Sequence, residues 1–403
     1  MTEVIEHTPL VIDGIRLGVA SAGIKPGNTR HDLTVVELAE GTSCAATFTR
    51  NAFCAAPVIV AREHLARGTV RYLVINSGNA NAGTGDEGLL AAKRSCLALA
   101  DLRGCVVETV LPFSTGVIGE PLPLDRIIAA LPLACESLEE SGWDQAARAI
   151  MTTDTVSKVA STRINIDGQE VLVTGMAKGS GMIHPDMATM LAYVATDAAI
   201  PKDVLNALVS ELVSASFNCT TVDGDTSTND ACVLMATGGS AAQVMTADGV
   251  HPTLRDGLQA VFDSLAKQLV RDGEGATKFI TIDIEGGESV AACRQVAFAI
   301  AHSPLVKTAF FASDPNWGRI LAAIGRAGLP ELDVSRIEID LDDVAIVRNG
   351  GRDAAYTESD GAAVMARSDI TIRARLGRGD QCCRVWTTDL SYDYVRINAE
   401  YRT

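Results

Sequence analysis

The stretch KGSGMIHPDMATMLAYVATDA, from Lys178 to Ala198, joins two patterns that seldom adjoin each other. Its first residues are glycine-rich, as in loops that surround phosphate, and MLAYVA near its end is an apolar run typical of a strand. Between them, Pro185-Asp186 predicts a turn, and Ala188-Thr189 leads into the strand. Lys178 precedes the glycines, and no G-x-x-x-x-G-K-[ST] motif is present, so the stretch does not predict nucleotide binding.

Thr189 can be a nucleophile or only the first residue of a strand. A threonine hydroxyl stays protonated near neutral pH and needs an adjacent base, which the residue's own α-amine provides once the preceding peptide bond is broken. That amine has a pKa of about 7.7–8.0 in unstructured peptides, whereas a lysine side chain, at about 10.4, would need a large downward shift. Small Ala188 and the turn before it fit a self-cleavage site, but these residues alone leave both interpretations open.

Composition limits the classes of function. The chain has 403 residues, 47% of them hydrophobic, which is enough for two or three domains with a sizeable core. Its net charge of -16 disfavours nucleic acid and anionic membranes as partners. The ten cysteines form no C-x-x-C pair, which argues against a metal site. The acidic N-terminus has no signal-peptide pattern, and we expect a cytoplasmic protein without a membrane partner.

Strand-like and helical patterns alternate along the chain and predict an α/β protein. LTVVEL, APVIVA and YLVIN are predicted as strands, and Glu87–Leu102 as a helix. Further on, ACVLMATG is predicted as a strand, and HPTLRDGLQAVFDSLAKQLVRD as a long amphipathic helix. The last third mixes helices with the strands FITIDIE, RIEIDL, VAIVRN and ITIRARL. A turn at Gly286-Gly287 predicts a domain boundary there.

Polar loops next to these elements are candidate sites. Ser114-Thr115-Gly116 is predicted as a turn after a strand, where a hydroxyl and a backbone N–H can point the same way, as an oxyanion hole requires. Most such tripeptides are only turns, so both interpretations stay open. Asn76–Gly88 predicts a tight turn with left-handed residues. Thr220–Asp230 contains three carboxylates but lacks the pattern of an EF-hand, so we expect loop hydrogen bonds and no metal.

Several separated blocks resemble the ornithine acetyltransferase family of arginine biosynthesis. In chain order they are INSGNAN, STGVIGEPLP, AIMTTDT, KGSGMIHPDMATMLAYVATDA, TVDGDTSTND, DGEGATK, DPNWGRI and YVRINAEYRT. The resemblance implies self-cleavage between Ala188 and Thr189, giving an α chain of residues 1–188 and a β chain of residues 189–403 that assemble as an α2β2 heterotetramer. It also implies a layered α/β sandwich of the type found in self-processing N-terminal-nucleophile aminopeptidases. A smaller C-terminal α/β domain, residues 287–403, would send its tail back to the active site.

The same resemblance implies a glutamate N-acetyltransferase. Thr189 would take the acetyl group from N²-acetylornithine and pass it to glutamate in a ping-pong reaction. Thr115 and Gly116 would form the oxyanion hole. The residues that would bind substrate are Thr152, Lys178, Thr189, Glu274, Asn398 and Thr403. No cofactor or metal is implied, and acetyl-CoA stays open as a second acetyl donor.

Three other functions are alternatives. A paralogue devoted to another acetylated amino acid would keep every residue named above, and its substrate range would distinguish it. An aminopeptidase or amidase of the same fold would use water as acceptor and hydrolyse amides without ornithine. A non-catalytic binding protein would not cleave itself. Without the resemblance, Lys178 and Glu274 would be interpreted as solvated loop charges.

Overall fold

The computed structural model describes residues 5–25, 27, 30–184, 190–247 and 249–400. These fall into two compact units. The first comprises Met1–Asn218 with Asp225–Leu269, and the second Cys219–Gly224 with Val270–Thr403. Among the described helices, none combines the length and the hydropathy needed to cross a lipid bilayer.

The first unit contains eleven described strands and six described α-helices. Its strands are β1 (Ile15–Ala20), β2 (Leu33–Leu38), β3 (Ser43–Phe48), β4 (Tyr72–Asn79), β5 (Val110–Val117), β6 (Lys158–Ile166), β7 (Gln169–Lys178), β8 (Leu191–Thr196), β9 (Ala231–Ala236), β10 (Met245–Thr246) and β11 (Gly249–Val250). Its helices are α1 (Ala56–Arg67), α2 (Gly85–Arg103), α3 (Leu124–Glu136), α4 (Trp143–Ala149), α5 (Lys202–Ala215) and α6 (Pro252–Arg271).

Two of its sheets pack face to face. One has the strand order β1-β2-β4-β5 and the other β3-β9-β8-β7-β6, while β10 and β11 form a separate hairpin. One buried cluster joins the two inner faces, with Leu17 and Leu73 from one sheet and Met176 from the other. The rings of Phe113 on β5 and Tyr193 on β8 meet edge to face, with centroids 5.4 Å apart. This packing aligns the ends of β5 and β7 from opposite sheets.

Helices cover the outer faces of both sheets. Helices α2 and α3 share a second buried cluster with β2 and β4, and α5 packs on β3 and β9. On β7, Gly175 leaves room for Leu265 of α6, because a β-carbon there would lie 2.9 Å from that side chain. The resulting order of layers is helix, sheet, sheet, helix. The predicted layered α/β sandwich is therefore confirmed.

Two local predictions in this unit were wrong. APVIVA lies at the start of α1, not in a strand. Pro57 occupies the first turn of that helix, a position where proline needs no hydrogen bond, and an apolar run alone does not separate a strand from a helix. Ser114-Thr115-Gly116 lies within β5 and not in a turn after it. The predicted left-handed turn is confirmed, since Asn81 has a φ of 48° and Gly83 a φ of 70°.

The second unit is built on one mixed sheet with the order β15-β14-β13-β16-β12-β17. Its strands are β12 (Phe279–Gly287), β13 (Glu338–Leu341), β14 (Val344–Arg348), β15 (Gly351–Arg352), β16 (Asp369–Arg375) and β17 (Gln381–Thr388). Its helices are α7 (Val290–Ala301), α8 (Pro304–Phe311), α9 (Trp317–Gly325), α10 (Glu358–Met365) and α11 (Tyr392–Ala399). Helix α7 packs on β12 and β17 over a buried core of isoleucines, valines and alanines.

The second unit starts earlier in the sequence than the turn at Gly286-Gly287 indicated. Its long segment begins at Val270, and Gly287 is the last residue of β12. Strand β12 lies between β16 and β17 and is integral to the sheet, so the chain has already entered this unit before the two glycines. The unit also includes Cys219–Gly224, a short segment far away in sequence.

Candidate active site

Thr115 and Gly116 lie near the end of β5, where it runs parallel to β4. Gly116 is in register with Gly78, and Thr115 with Ser77. Gly116 has a φ of 134°, and a β-carbon there would lie 2.2 Å from the carbonyl carbon of Gly78. Position 116 therefore requires glycine for both conformation and space. The close approach of the two backbones holds the Gly116 amide group in a defined position.

Lys178, the last residue of β7, contacts Thr115 from the facing sheet. Its side chain is buried, with the residue 8% exposed, and its Nζ donates to Thr115 Oγ1 at 3.1 Å. The interpretation of Lys178 as a solvated loop charge is therefore wrong. Because a threonine hydroxyl accepts hydrogen bonds and also carries one proton, Thr115 can accept from Lys178 and still donate elsewhere. Asn229, just before β9, donates to the Ser114 carbonyl at 2.9 Å and links β5 to the same sheet.

Thr152 follows α4 and is half-buried. Its backbone N–H donates to Asp154 Oδ2 at 3.0 Å, and the N–H of Gly179 donates to Asp154 Oδ1 at 2.7 Å. Asp154 thus joins Thr152 to the residue that follows Lys178. Burial opposes ionisation of Asp154, but the charges of Lys178 and Lys158 hold its pKa well below the usual range. Asp154 is not among the site residues predicted from the sequence, although it lies two residues after Thr152.

After the predicted cleavage site, the described residues resume at Met190. The Met190 carbonyl accepts from Ala231 N at 3.0 Å, and Leu191 is in register with Lys178. Burial raises the pKa of the neighbouring Asp230 carboxyl well above its usual range. Ala188, Thr189 and Thr403 lie outside the described residues, and their roles stay predictions.

Glu274 and Asn398 lie together in the second unit. Asn398, on α11, donates from Nδ2 to Glu274 Oε2 at 2.8 Å, and Glu274 is 8% exposed. Its interpretation as a solvated loop charge is therefore also wrong. The loop is held to α11, because Ser391 Oγ donates to the Gly275 carbonyl at 2.6 Å. Asp389 fixes the other end of the loop by accepting from the N–H of Thr277 at 2.8 Å.

Within the described part of the chain, no three His, Cys, Asp or Glu side chains come together as a ligand set.

Comparison with known proteins places these residues in a family. A sequence model of the ArgJ family matches residues 16–403. The chain belongs to the ArgJ family. It is 61% identical over 393 residues to the arginine biosynthesis bifunctional protein ArgJ of Methylococcus capsulatus, covering 97% of this chain and 96% of that protein. The ArgJ of Pseudomonas syringae pv. tomato is 55% identical over 398 residues, with 97% of both chains covered.

A solved ArgJ structure is also similar. The crystal structure of the arginine biosynthesis bifunctional protein of Bacillus halodurans is 39% identical, with a TM-score of 0.50, and covers 53% of this chain and 100% of that chain. The predicted resemblance to the ornithine acetyltransferases of arginine biosynthesis is thereby confirmed at the level of the family. The geometry brings Thr115, Gly116, Thr152 and Lys178 together in the first unit, and pairs Glu274 with Asn398 in the second.

Proposed function

We propose that this protein is a glutamate N-acetyltransferase that takes acetyl from N²-acetylornithine in arginine biosynthesis. The observation that carries the proposal is the 3.1 Å contact between Lys178 Nζ and Thr115 Oγ1. It joins an ammonium group suited to a substrate carboxylate with a hydroxyl suited to an oxyanion, from two facing sheets. Membership of the ArgJ family supports the pathway, since the relatives are arginine biosynthesis proteins.

Thr189 is the proposed nucleophile, with its own α-amine as base. Its hydroxyl oxygen attacks the acetyl carbonyl of N²-acetylornithine, the carbonyl–nitrogen bond breaks, and ornithine leaves after taking a proton from the α-ammonium group. The α-amine of glutamate then attacks the acetyl ester. The α-amine of Thr189 takes the proton that the attacking amine loses and passes it to the Thr189 oxygen as the carbonyl–oxygen bond breaks, and N-acetylglutamate leaves.

The Gly116 N–H and the Thr115 hydroxyl are the proposed donors to the oxyanion in both steps. The Thr115 oxygen accepts the hydrogen bond from Lys178, so the hydroxyl proton of Thr115 points away from the ammonium group. The close backbone contact between Gly116 and Gly78 fixes the second donor. Donors held in advance of the reaction need no reorganisation as charge develops, which is why such groups accelerate acyl transfer.

Substrate binding is assigned by charge. Lys178 suits the α-carboxylate that N²-acetylornithine and glutamate share. Thr152 is held near Lys178, because Asp154 accepts hydrogen bonds from the N–H of Thr152 and from the N–H of Gly179, the next residue after Lys178. Glu274 suits the side-chain ammonium of ornithine, and Asn398 orients its carboxylate. Thr403 is the remaining proposed substrate residue. Acetyl-CoA is a candidate second donor, in keeping with the word bifunctional in the relatives' names.

Cleavage before Thr189 and assembly as a cytoplasmic α2β2 heterotetramer complete the proposal. The solved Bacillus halodurans chain supports the cleavage, because the whole of that chain matches only 53% of this one. Residues 189–403 are 215 of the 403 residues, or 53%. A chain of that length is what cleavage between Ala188 and Thr189 would leave.

The test is acetyl transfer by the purified protein. N²-acetylornithine and glutamate should yield ornithine and N-acetylglutamate in equal amounts by mass spectrometry. Isotope-labelled ornithine should also exchange into N²-acetylornithine without glutamate, because the acetyl-enzyme forms before the acceptor binds. Transfer to another amino acid only would indicate the paralogue, and acetate release without an acceptor would indicate an amidase. A repeat with acetyl-CoA alone as donor tests the second activity.

A further inference from the structure

A buried ion pair adjoins the site in the first unit. Lys158, the first residue of β6, places its Nζ 2.7 Å from Asp154 Oδ1, and both side chains are 0% exposed. Burying two charges costs solvation energy that their mutual attraction only partly recovers, so such a pair contributes little to stability by itself. Its presence next to Lys178 calls for a different explanation.

The remaining hydrogen bonds of Asp154 supply that explanation. Its carboxylate also accepts from the backbone N–H of Thr152 at 3.0 Å and of Gly179 at 2.7 Å. One side chain therefore holds three separate segments: the turn that carries Thr152, the start of β6, and the end of β7. Gly179 directly follows Lys178, so the hydrogen bond from its N–H to Asp154 fixes the backbone at the end of β7.

We propose that Asp154 is a positioning residue for the substrate α-carboxylate site, with Lys158 as its buried counter-ion. The inference rests on the proposed function. Asp154 fixes the backbone on both sides of the site, at Thr152 and at Gly179, and thereby sets where the Lys178 ammonium can meet the substrate. The ammonium of Lys158 compensates the charge that Asp154 needs in order to accept all of these bonds.

An asparagine at position 154 has one acceptor oxygen in place of two. In place of the second oxygen it has an NH₂ group, which is a donor and cannot accept a hydrogen bond from a backbone N–H. At least one of the bonds to Thr152 and Gly179 is then lost, and hydrogen bonds to charged groups are among the stronger ones in proteins. Affinity for a substrate carboxylate should fall by about tenfold to a hundredfold.

The test measures binding without turnover. Ornithine and its α-carboxamide are titrated calorimetrically into the wild type, Asp154→Asn, Asp154→Asn/Lys158→Met and Asp144→Asn. The double variant removes both buried charges, so that Lys158 is not left without its carboxylate. Asp144→Asn is the matched control, because Asp144 pairs with Arg148 at the same spacing but both side chains are more than half exposed, at 53% and 68%.

We expect the wild type and Asp144→Asn to prefer ornithine over the carboxamide by the same factor. In both Asp154 variants that preference should shrink about tenfold or more, because the carboxylate loses affinity and the carboxamide does not. A folded double variant that keeps the wild-type preference overturns the inference, and so does an equal loss of affinity for both ligands. A wild type that transfers no acetyl group overturns the proposed function, and this inference with it.

Discussion

Replacing Gly116 by alanine tests the oxyanion hole with a magnitude taken from the structure. The added β-carbon would lie 2.2 Å from the Gly78 carbonyl carbon and 2.5 Å from Asn79 N. Ordinary contacts begin at 3.4 Å, so β4 and β5 would have to separate locally by about 1.2 Å. A displacement of about 1 Å at a reacting centre can cost about 10²-fold in rate. Loss of one oxyanion donor costs about 10²–10³-fold.

Gly119→Ala is the matched control for this substitution. Gly119 also has a positive φ, 83°, but a β-carbon there meets nothing within 4 Å. Both variants carry the strain of alanine at positive φ, about 1–2 kcal/mol, and only Gly116→Ala also displaces the backbone. We expect kcat/KM for acetyl transfer to fall at least about 10²-fold in Gly116→Ala and only a few-fold in Gly119→Ala. If Gly116→Ala folds and its kcat/KM lies within about fivefold of that of Gly119→Ala, the role of Gly116 in the oxyanion hole is refuted.

Two more predictions concern the second unit. Glu274→Gln should raise KM for N²-acetylornithine about tenfold but change KM for glutamate little, since glutamate has no side-chain ammonium. Equal increases of both KM values in steady-state assays would argue against Glu274 as the partner of that ammonium. Burial lowers the pKa of Lys307 to about 7, so between pH 7 and about 10.4 the unfolded chain holds a proton that the folded chain lacks, and stability rises with pH. Lys307→Met removes that rise. Urea titrations at pH 7 and pH 9 measure the unfolding free energy of both proteins, and the advantage of the wild type over the variant should grow by up to about 1.4 kcal/mol per pH unit. A difference that stays constant with pH would contradict burial of Lys307 as the cause.

Sequence patterns predicted the elements best where periodicity and end signals agreed. The long amphipathic pattern around Leu254–Val270 lies in α6, as predicted. The alternating pattern FITIDIE lies in β12. APVIVA failed, because a short apolar run fits either a buried strand or a helix. The boundary at Gly286-Gly287 failed because a turn at the end of β12 resembles a linker in sequence.

The candidate site was predictable from motifs but not from local physics. Lys178 and Glu274 look like exposed loop charges, and their burial arises from contacts with residues far away in sequence, Thr115 for one and Asn398 for the other. Asp154 was missed for the same reason. Its pairing with Lys158 at four residues' distance was visible, but nothing in the sequence indicated that Gly179 would complete its hydrogen bonds.

The central claim is that the chain produces its own nucleophile at Thr189. Intact-mass analysis of the purified wild type, Thr189→Ala and Thr189→Ser tests it most directly. The wild type and Thr189→Ser, which keeps a hydroxyl, should each give two chains with the masses of residues 1–188 and 189–403. Thr189→Ala should give a single uncut chain without acetyltransferase activity. An uncut wild type that still transfers acetyl to glutamate would contradict the account.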